Sequence, residues 1–185
     1  DWGGLFIHDR YNDNDGIAKY SRLSHVQIKY AARGLDMEMG EQLFTDELDN
    51  ITISDSYDHG MILEYGRYTV ANALVENTQR YDGIHSYYKG DVTVRSSTIR
   101  NSKSQGLFAK GDQGSFFREV SNSIIENNGA NGIHTLNLGS ASTLLGNTIQ
   151  NNSQNGVSYH HDDLDSTDVF FTGNVLSNNG QSGIR

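Results

Sequence analysis

Apolar residues recur along this chain with a short period of two nested inside a long period of about 25 residues. One set of anchors is Ile28, Ile53, Val75, Ile99, Ile125, Ile149 and Leu176, with spacings of 25, 22, 24, 26, 24 and 27 residues. Five positions before each anchor stands another apolar residue: Leu23, Leu48, Val70, Val94, Val120, Leu144 and Phe171. Two positions after it come Tyr30, Asp55, Asn77, Asn101, Asn127, Asn151 and Asn178. Six to eight positions after it, glycine is followed by an apolar residue: Gly34-Leu35, Gly60-Met61, Gly83-Ile84, Gly106-Leu107, Gly132-Ile133, Gly156-Val157 and Gly183-Ile184. Gly4-Leu5 is an eighth such pair. The first and third residues after each glycine are mostly apolar, as in Leu5/Ile7, Met37, Ile84, Leu107/Ala109 and Ile133.

Alternation of two marks strands, and helical spacing is absent. Abundant Gly, Asn and Ser would in any case weaken helices. Three apolar ladders per repeat imply three short strands per coil, each pairing with its equivalent one coil away at about 4.8 Å. The pattern therefore predicts an all-β parallel β-helix, or solenoid, of about 7–8 coils. The Asn-rich position after the anchor fits a left-handed backbone, which Asn tolerates, with its amide bonding the next coil.

Composition narrows the class. The 185 residues contain 20 glycines, no proline and no cysteine, with a net charge of −9. Disulfides and thiolate chemistry are excluded. The acidic balance argues against nucleic acid as a partner, which needs clustered Lys and Arg. No run of 18 apolar residues occurs, so no membrane-spanning helix or membrane insertion is expected. The chain starts at Asp1 without an initiator Met or signal peptide, and both ends fall on strands without polar caps. We therefore expect residues 1–185 to be one β-helix segment excised from a longer chain. Its ends are expected to stack on adjoining coils of that parent, or to associate end to end.

The stretches STIRNSKSQGLFA (97–109), SIIENNGANGIHT (123–135), NTIQNNSQNGVSY (147–159) and NVLSNNGQSGI (174–184) resemble right-handed parallel β-helix proteins of the pectate-lyase-like type. The opening DWGGLFI and the later SRLSHVQIKYAARGL look like segments of large secreted bacterial β-helix proteins. The resemblance covers essentially the whole chain and implies an extracellular or cell-surface location. It is specific for fold rather than function, because the fold hosts lyases, hydrolases, epimerases, adhesins and inert stalks. The Asp-Pro-His motif of alginate epimerases cannot occur in a chain without proline.

Chemistry must come from outward positions, the second and fourth residues after each glycine. Coil by coil these are Phe6/His8, Asp36/Glu38, Ile62/Glu64, His85/Tyr87, Phe108/Lys110, His134/Leu136 and Ser158/His160. The stripe suits an extended glycan, with aromatic rings on sugar faces and polar groups on hydroxyls. Asp36, Glu38, Glu64, Phe108 and His160 are the candidate glycan contacts. A uronate lyase or C5-epimerase needs a base, an acid and a cation beside the substrate carboxylate. His85, Tyr87, Lys110 and His134, within three adjacent coils, are the candidates for those roles.

Metal signals are weaker. YNDNDGIAKY (11–20) approximates a calcium loop through Asp13, Asp15 and Gly16, but Tyr11 stands at the first ligand position. A solvated turn is the expectation there, with calcium the alternative; no cofactor is required. His160, His161, Asp162, Asp163 and Asp165 form an acidic loop tip, since adjacent histidines on a strand point to opposite sides. Tyr57, Tyr65, Tyr68, Tyr81, Tyr87 and Tyr88 cluster mid-chain, where edge packing and glycan contact are both open. The leading expectation is a non-catalytic extracellular scaffold or adhesive segment contacting a polysaccharide or surface glycan. The alternatives are a polysaccharide lyase or epimerase, less readily a hydrolase, and an end-to-end fibre subunit.

Overall fold

The computed structural model describes residues 2–9, 21–39, 45–110, 115–136, 141–160 and 168–185. They form a parallel β-solenoid of three seven-stranded sheets, so six turns separate the first and last strand of each sheet. The first sheet is built from Leu5–Asp9, Leu35–Met39, Met61–Glu64, Ile84–Tyr87, Leu107–Lys110, Ile133–Leu136 and Val157–His160. The second runs from Arg22–Ser24 to Val169–Thr172, and the third from Gln27–Lys29 to Val175–Ser177. The two apolar stacks read from the sequence are the inward files of these sheets. Leu23 pairs with Leu48 and Val94 with Val120 in the second sheet; Ile28 pairs with Ile53 and Ile99 with Ile125 in the third.

The interior is an apolar column. Leu48, Val70, Val94, Val120 and Leu144 are fully buried beside Ile53, Val75, Ile99, Ile125 and Ile149. Met61, Ile84, Leu107, Ile133 and Val157 close the third side. Each such side chain contributes about 1.5–3 kcal/mol of transfer free energy.

Three corners join the sheets, and they differ in kind. Between second and third sheets the corner is two residues in all seven coils. Its first residue lies in the left-handed region: His25, Asn50, Asn72, Ser96, Asn122, Gly146 and Gly173 have φ between 48° and 65°. Between third and first sheets the corner is five to seven residues, and between first and second it ranges from two to twelve. The expected left-handed position two after each anchor is present throughout, from Tyr30 at φ 56° to Asn178 at φ 53°. Glycine closes the third-to-first corner because backbone and side chains crowd there. A Cβ on Gly106 would meet Gly132 O and Ile125 Cγ2, each at 2.7 Å.

The amide ladder differs from the expectation in one respect. Outward, Asn101 donates to Asn77 and Asn77 to Asp55, each at 3.1 Å. The more extensive ladder lies one residue later, buried at Asn128 and Asn152 and half-buried at Asn179. Asn128 donates through its backbone N–H and Nδ2 to Asn152 Oδ1 (3.1 and 2.9 Å), and Asn152 does the same to Asn179 Oδ1 (3.1 and 3.0 Å). Asn147 and Asn174 repeat the motif at the two-residue corner. Such side chains satisfy backbone groups that turn away from the strands, where no water reaches them.

The two ladders respond differently to mutation. Asn152→Ala strands a buried N–H and amide on Asn128 and removes a donor to Ile125 O, a loss of about 2–4 kcal/mol. Asn151→Gly, at an exposed left-handed position, is expected within about 0.5 kcal/mol of the parent. Urea denaturation of both variants measures the difference; equal losses would contradict the buried ladder.

Candidate functional site

The outward face of the first sheet carries its side chains in two files, as the sequence indicates. Parallel pairing aligns Phe6, Asp36, Ile62, His85, Phe108, His134 and Ser158 in one, and His8, Glu38, Glu64, Tyr87, Lys110, Leu136 and His160 in the other. A third file borders them, formed by the residue before each glycine: Arg33, His59, Asp82, Gln105, Asn131 and Asn155. Sequence reasoning started at the glycine and missed it. Its signal was present, since the residue before glycine is polar in each of these six coils.

In later coils the third file is structural. Asn131 N–H donates to Gln105 Oε1 at 2.7 Å, Asn155 N–H to Asn131 Oδ1 at 3.0 Å, and Ser182 N–H to Asn155 Oδ1 at 3.2 Å. Asp82 does the same work with one oxygen, Oδ1 accepting from Gln105 N–H at 2.9 Å. Its other oxygen, Oδ2, lies 3.0 Å from His85 Nδ1 and 3.9 Å from His59 Nε2. Aromatic rings wall this group. Tyr81 stacks on His59 (centroids 4.8 Å), and His85 meets the His59 and Phe108 rings edge-on at 5.1 and 4.9 Å. His134 follows Phe108 at 5.3 Å, Tyr87 lies 5.7 Å from His85, and Lys110 Nζ sits 5.6 Å from the Tyr87 ring centre. The structure thus brings His85, Tyr87, Lys110, Phe108 and His134 together and adds His59, Tyr81 and Asp82.

Burial sets the charges. Removal from water, then the neighbouring His85 charge, lowers the His59 imidazole to about 4 against the opposing pull of Asp82. Burial alone would raise Asp82; the bond and charge of His85 together with the Gln105 N–H outweigh it and hold the carboxyl below its usual range. Burial also lowers His134, with Asp82 opposing and His160 assisting. The corner after Tyr87 is backbone-strained, with Tyr88 at φ 42° and Lys89 at φ 65°, and the Tyr88 ring stacks on Tyr65 at 5.2 Å.

The other end of the face is acidic and less open than expected. Asp36 is buried rather than free, because Arg33 Nη1 bonds its Oδ2 at 2.8 Å and His8 lies 3.6 Å from its Oδ1. His8 also lies 3.6 Å from Glu38. Glu64 is half-buried; that burial, then the charges of Asp36 and Glu38, raises its carboxyl above the usual value. His160 stands exposed at the far end. Asp13 and Asp15 of the calcium-like loop, and His161, Asp162, Asp163 and Asp165, lie outside the described residues. Of the remaining tyrosines, Tyr68 is buried and donates to Glu64 O, whereas Tyr57 is exposed. No helix is long and apolar enough to cross a membrane among the described residues.

Residues 42–185 match a family model described as a right handed beta helix region. No curated protein and no solved structure matches the chain.

His59 makes stability depend on pH. Its folded-state value lies below the ordinary 6.5, so the unfolded chain takes up a proton first as pH falls. Stability is then lost from about pH 6.5 down towards 4, by about 2–3 kcal/mol. Asp82, held low, loses its contribution only below the ordinary carboxylate value of 3.8, outside that window. Urea midpoints at pH 7 and 4.5 should show this decline in the parent and a smaller one in His59→Gln; parallel declines would refute the assignment.

Proposed function

The chain belongs to the right-handed β-helix family, and from that premise we propose that its first sheet is the glycan-binding face of an extracellular or cell-surface scaffold. One observation carries the reading: the ring column His85–Phe108–His134, one residue per coil, with centroids 4.9 and 5.3 Å apart. Strands repeat at about 4.8 Å, close to the length of one sugar unit in an extended polysaccharide. A rigid column of rings at that pitch offers stacking surface at little entropic cost, because neighbouring coils already hold the side chains. Lys110 and Tyr87 beside it supply a cation and a hydroxyl, favouring acidic over neutral polymers. The carboxylates Asp36, Glu38 and Glu64 at the other end give the face a polarity along its length.

A second reading, lyase or C5-epimerase action on a uronate polymer, is favoured by the Asp82–His85 contact at 3.0 Å. A carboxylate that fixes one imidazole nitrogen orients the ring as a base. In that reading His85 takes the C5 proton. In elimination the C4–O bond then breaks, C4=C5 forms, and an acid such as Tyr87 protonates the leaving oxygen. Lys110 neutralises the uronate carboxylate, and His134 borders the site through Phe108.

Calorimetry against a panel of neutral and acidic polysaccharides tests the first reading. The parent should bind at least one acidic polymer, and Phe108→Ala should weaken binding roughly tenfold or more, about 1.4 kcal/mol. Leu145→Ala, exposed on the second sheet, should leave binding unchanged. Absence of binding across the panel, or no effect of Phe108→Ala, would remove the reading. The same polymers report on chemistry: ultraviolet absorbance of an unsaturated product, lost in His85→Ala, would establish the lyase. Binding without new absorbance or epimerised residues by NMR leaves the scaffold.

A further inference from the structure

We propose that His59, Asp82 and His85 form a binding site for a divalent first-row transition-metal ion at the centre of this face. Each side chain offers one ligand atom, and the three atoms lie within 4.8 Å of one another. Asp82 Oδ2 is 3.0 Å from His85 Nδ1 and 3.9 Å from His59 Nε2. Donors bound at about 2.0–2.2 Å to one ion stand roughly 3.0–3.5 Å apart. Asp82 and His85 are therefore already at ligand spacing, and His59 must close in by about 1–2 Å, within the reach of a side-chain rotation. Two imidazoles and one carboxylate suit zinc, cobalt, nickel or copper over calcium or magnesium, which prefer all-oxygen sites.

The fold does not require this donor set. Gln105, Asn131 and Asn155 hold the same file with a single amide oxygen, and Asp82 uses Oδ1 for its bond to Gln105 N–H. An asparagine at 82 would keep that acceptor. Asp82 also takes a hydrogen bond from the Ser104 side chain, and its second oxygen, Oδ2, is the one facing both histidines. The side chains keep 15%, 7% and 18% of their exposure, so the site is reachable from solvent. Three protein ligands leave coordination positions for water or an external ligand, the arrangement of exchangeable rather than structural sites. Tyr81 and Phe108 form an apolar wall that strengthens such bonds.

The inference goes beyond glycan binding and is read without carbohydrate. The full chain, stripped with chelator, is titrated at pH 7.5 with Zn2+ by calorimetry and with Co2+ by visible absorption. One equivalent should bind at micromolar concentration or tighter, and Zn2+ should raise Tm. His59→Ala, His85→Ala and Asp82→Asn should each weaken binding by roughly tenfold or more. Asp82→Asn keeps the ladder acceptor; should it nonetheless fail to fold by circular dichroism, His59→Gln decides, since Gln already fills this file at Gln105. Variants that remove His160 with His161, or Asp13 with Asp15, should bind as the parent does. No binding at hundreds of micromolar, binding that survives the site variants, or binding lost with His160 and His161 would each overturn the proposal.

Discussion

Parallel hydrogen bonding between equivalent strands one turn apart is the interaction on which every other feature depends. A strand here has no partner within its own coil; its N–H and C=O groups are met by the coil before and the coil after. Register therefore propagates, and a slip of one residue would turn an apolar file outward. Between Val92 and Thr93 the pairing does shift, with Arg118 as the extra residue, and it recovers at once because Val94 still faces Val120. The extra residue is engaged, since Arg118 binds Asp91 on the preceding coil. Corners obey the same demand by a different means: side-chain amides at Asn128, Asn152 and Asn179 stand in for strand partners where the backbone bends away.

The fold was legible because inward positions admit little variation. Ile, Leu and Val recur at fixed offsets, and the left-handed position after each anchor draws Asn in five of seven coils because Asn tolerates that backbone. The two-residue corner was legible in principle as well, since Asn50, Asn72, Asn122, Gly146 and Gly173 share one offset after the first stack. It escaped notice because His25 and Ser96 break the composition without breaking the geometry. The outward ladder read two after the anchor is present at Asn77 and Asn101, but the buried one beside it was missed: in the NN pairs Asn127-Asn128 and Asn151-Asn152, the first residue takes the left-handed backbone and the second makes the buried bonds.

The face was only half legible. Alternation places His85, Tyr87, Phe108, Lys110 and His134 outward, and their proximity follows from register alone. Alternation fails at the glycine corner, where the chain turns, so it cannot place Asp82 and His59 beside them. Asp36 shows the opposite error: outward in register, it is hidden by Arg33 from that same neglected file. Nor does the pattern of strands reveal electrostatics, which arise from how deeply each group sits and what stands next to it.

Unequal corner lengths have a consequence for how such a chain changes. Two corners are nearly constant and act as the counters that keep the coils in phase. The third varies from two to twelve residues and opens where the strands of the first sheet end. Insertions and deletions there leave the hydrogen-bonded frame untouched while reshaping the rim beside Tyr87, Lys110 and His160. Mutation can thus remodel that rim at a loop-closure cost that grows only slowly with length, and a peptide spliced between Lys110 and Phe116 would little burden a scaffold whose clockwork lies elsewhere.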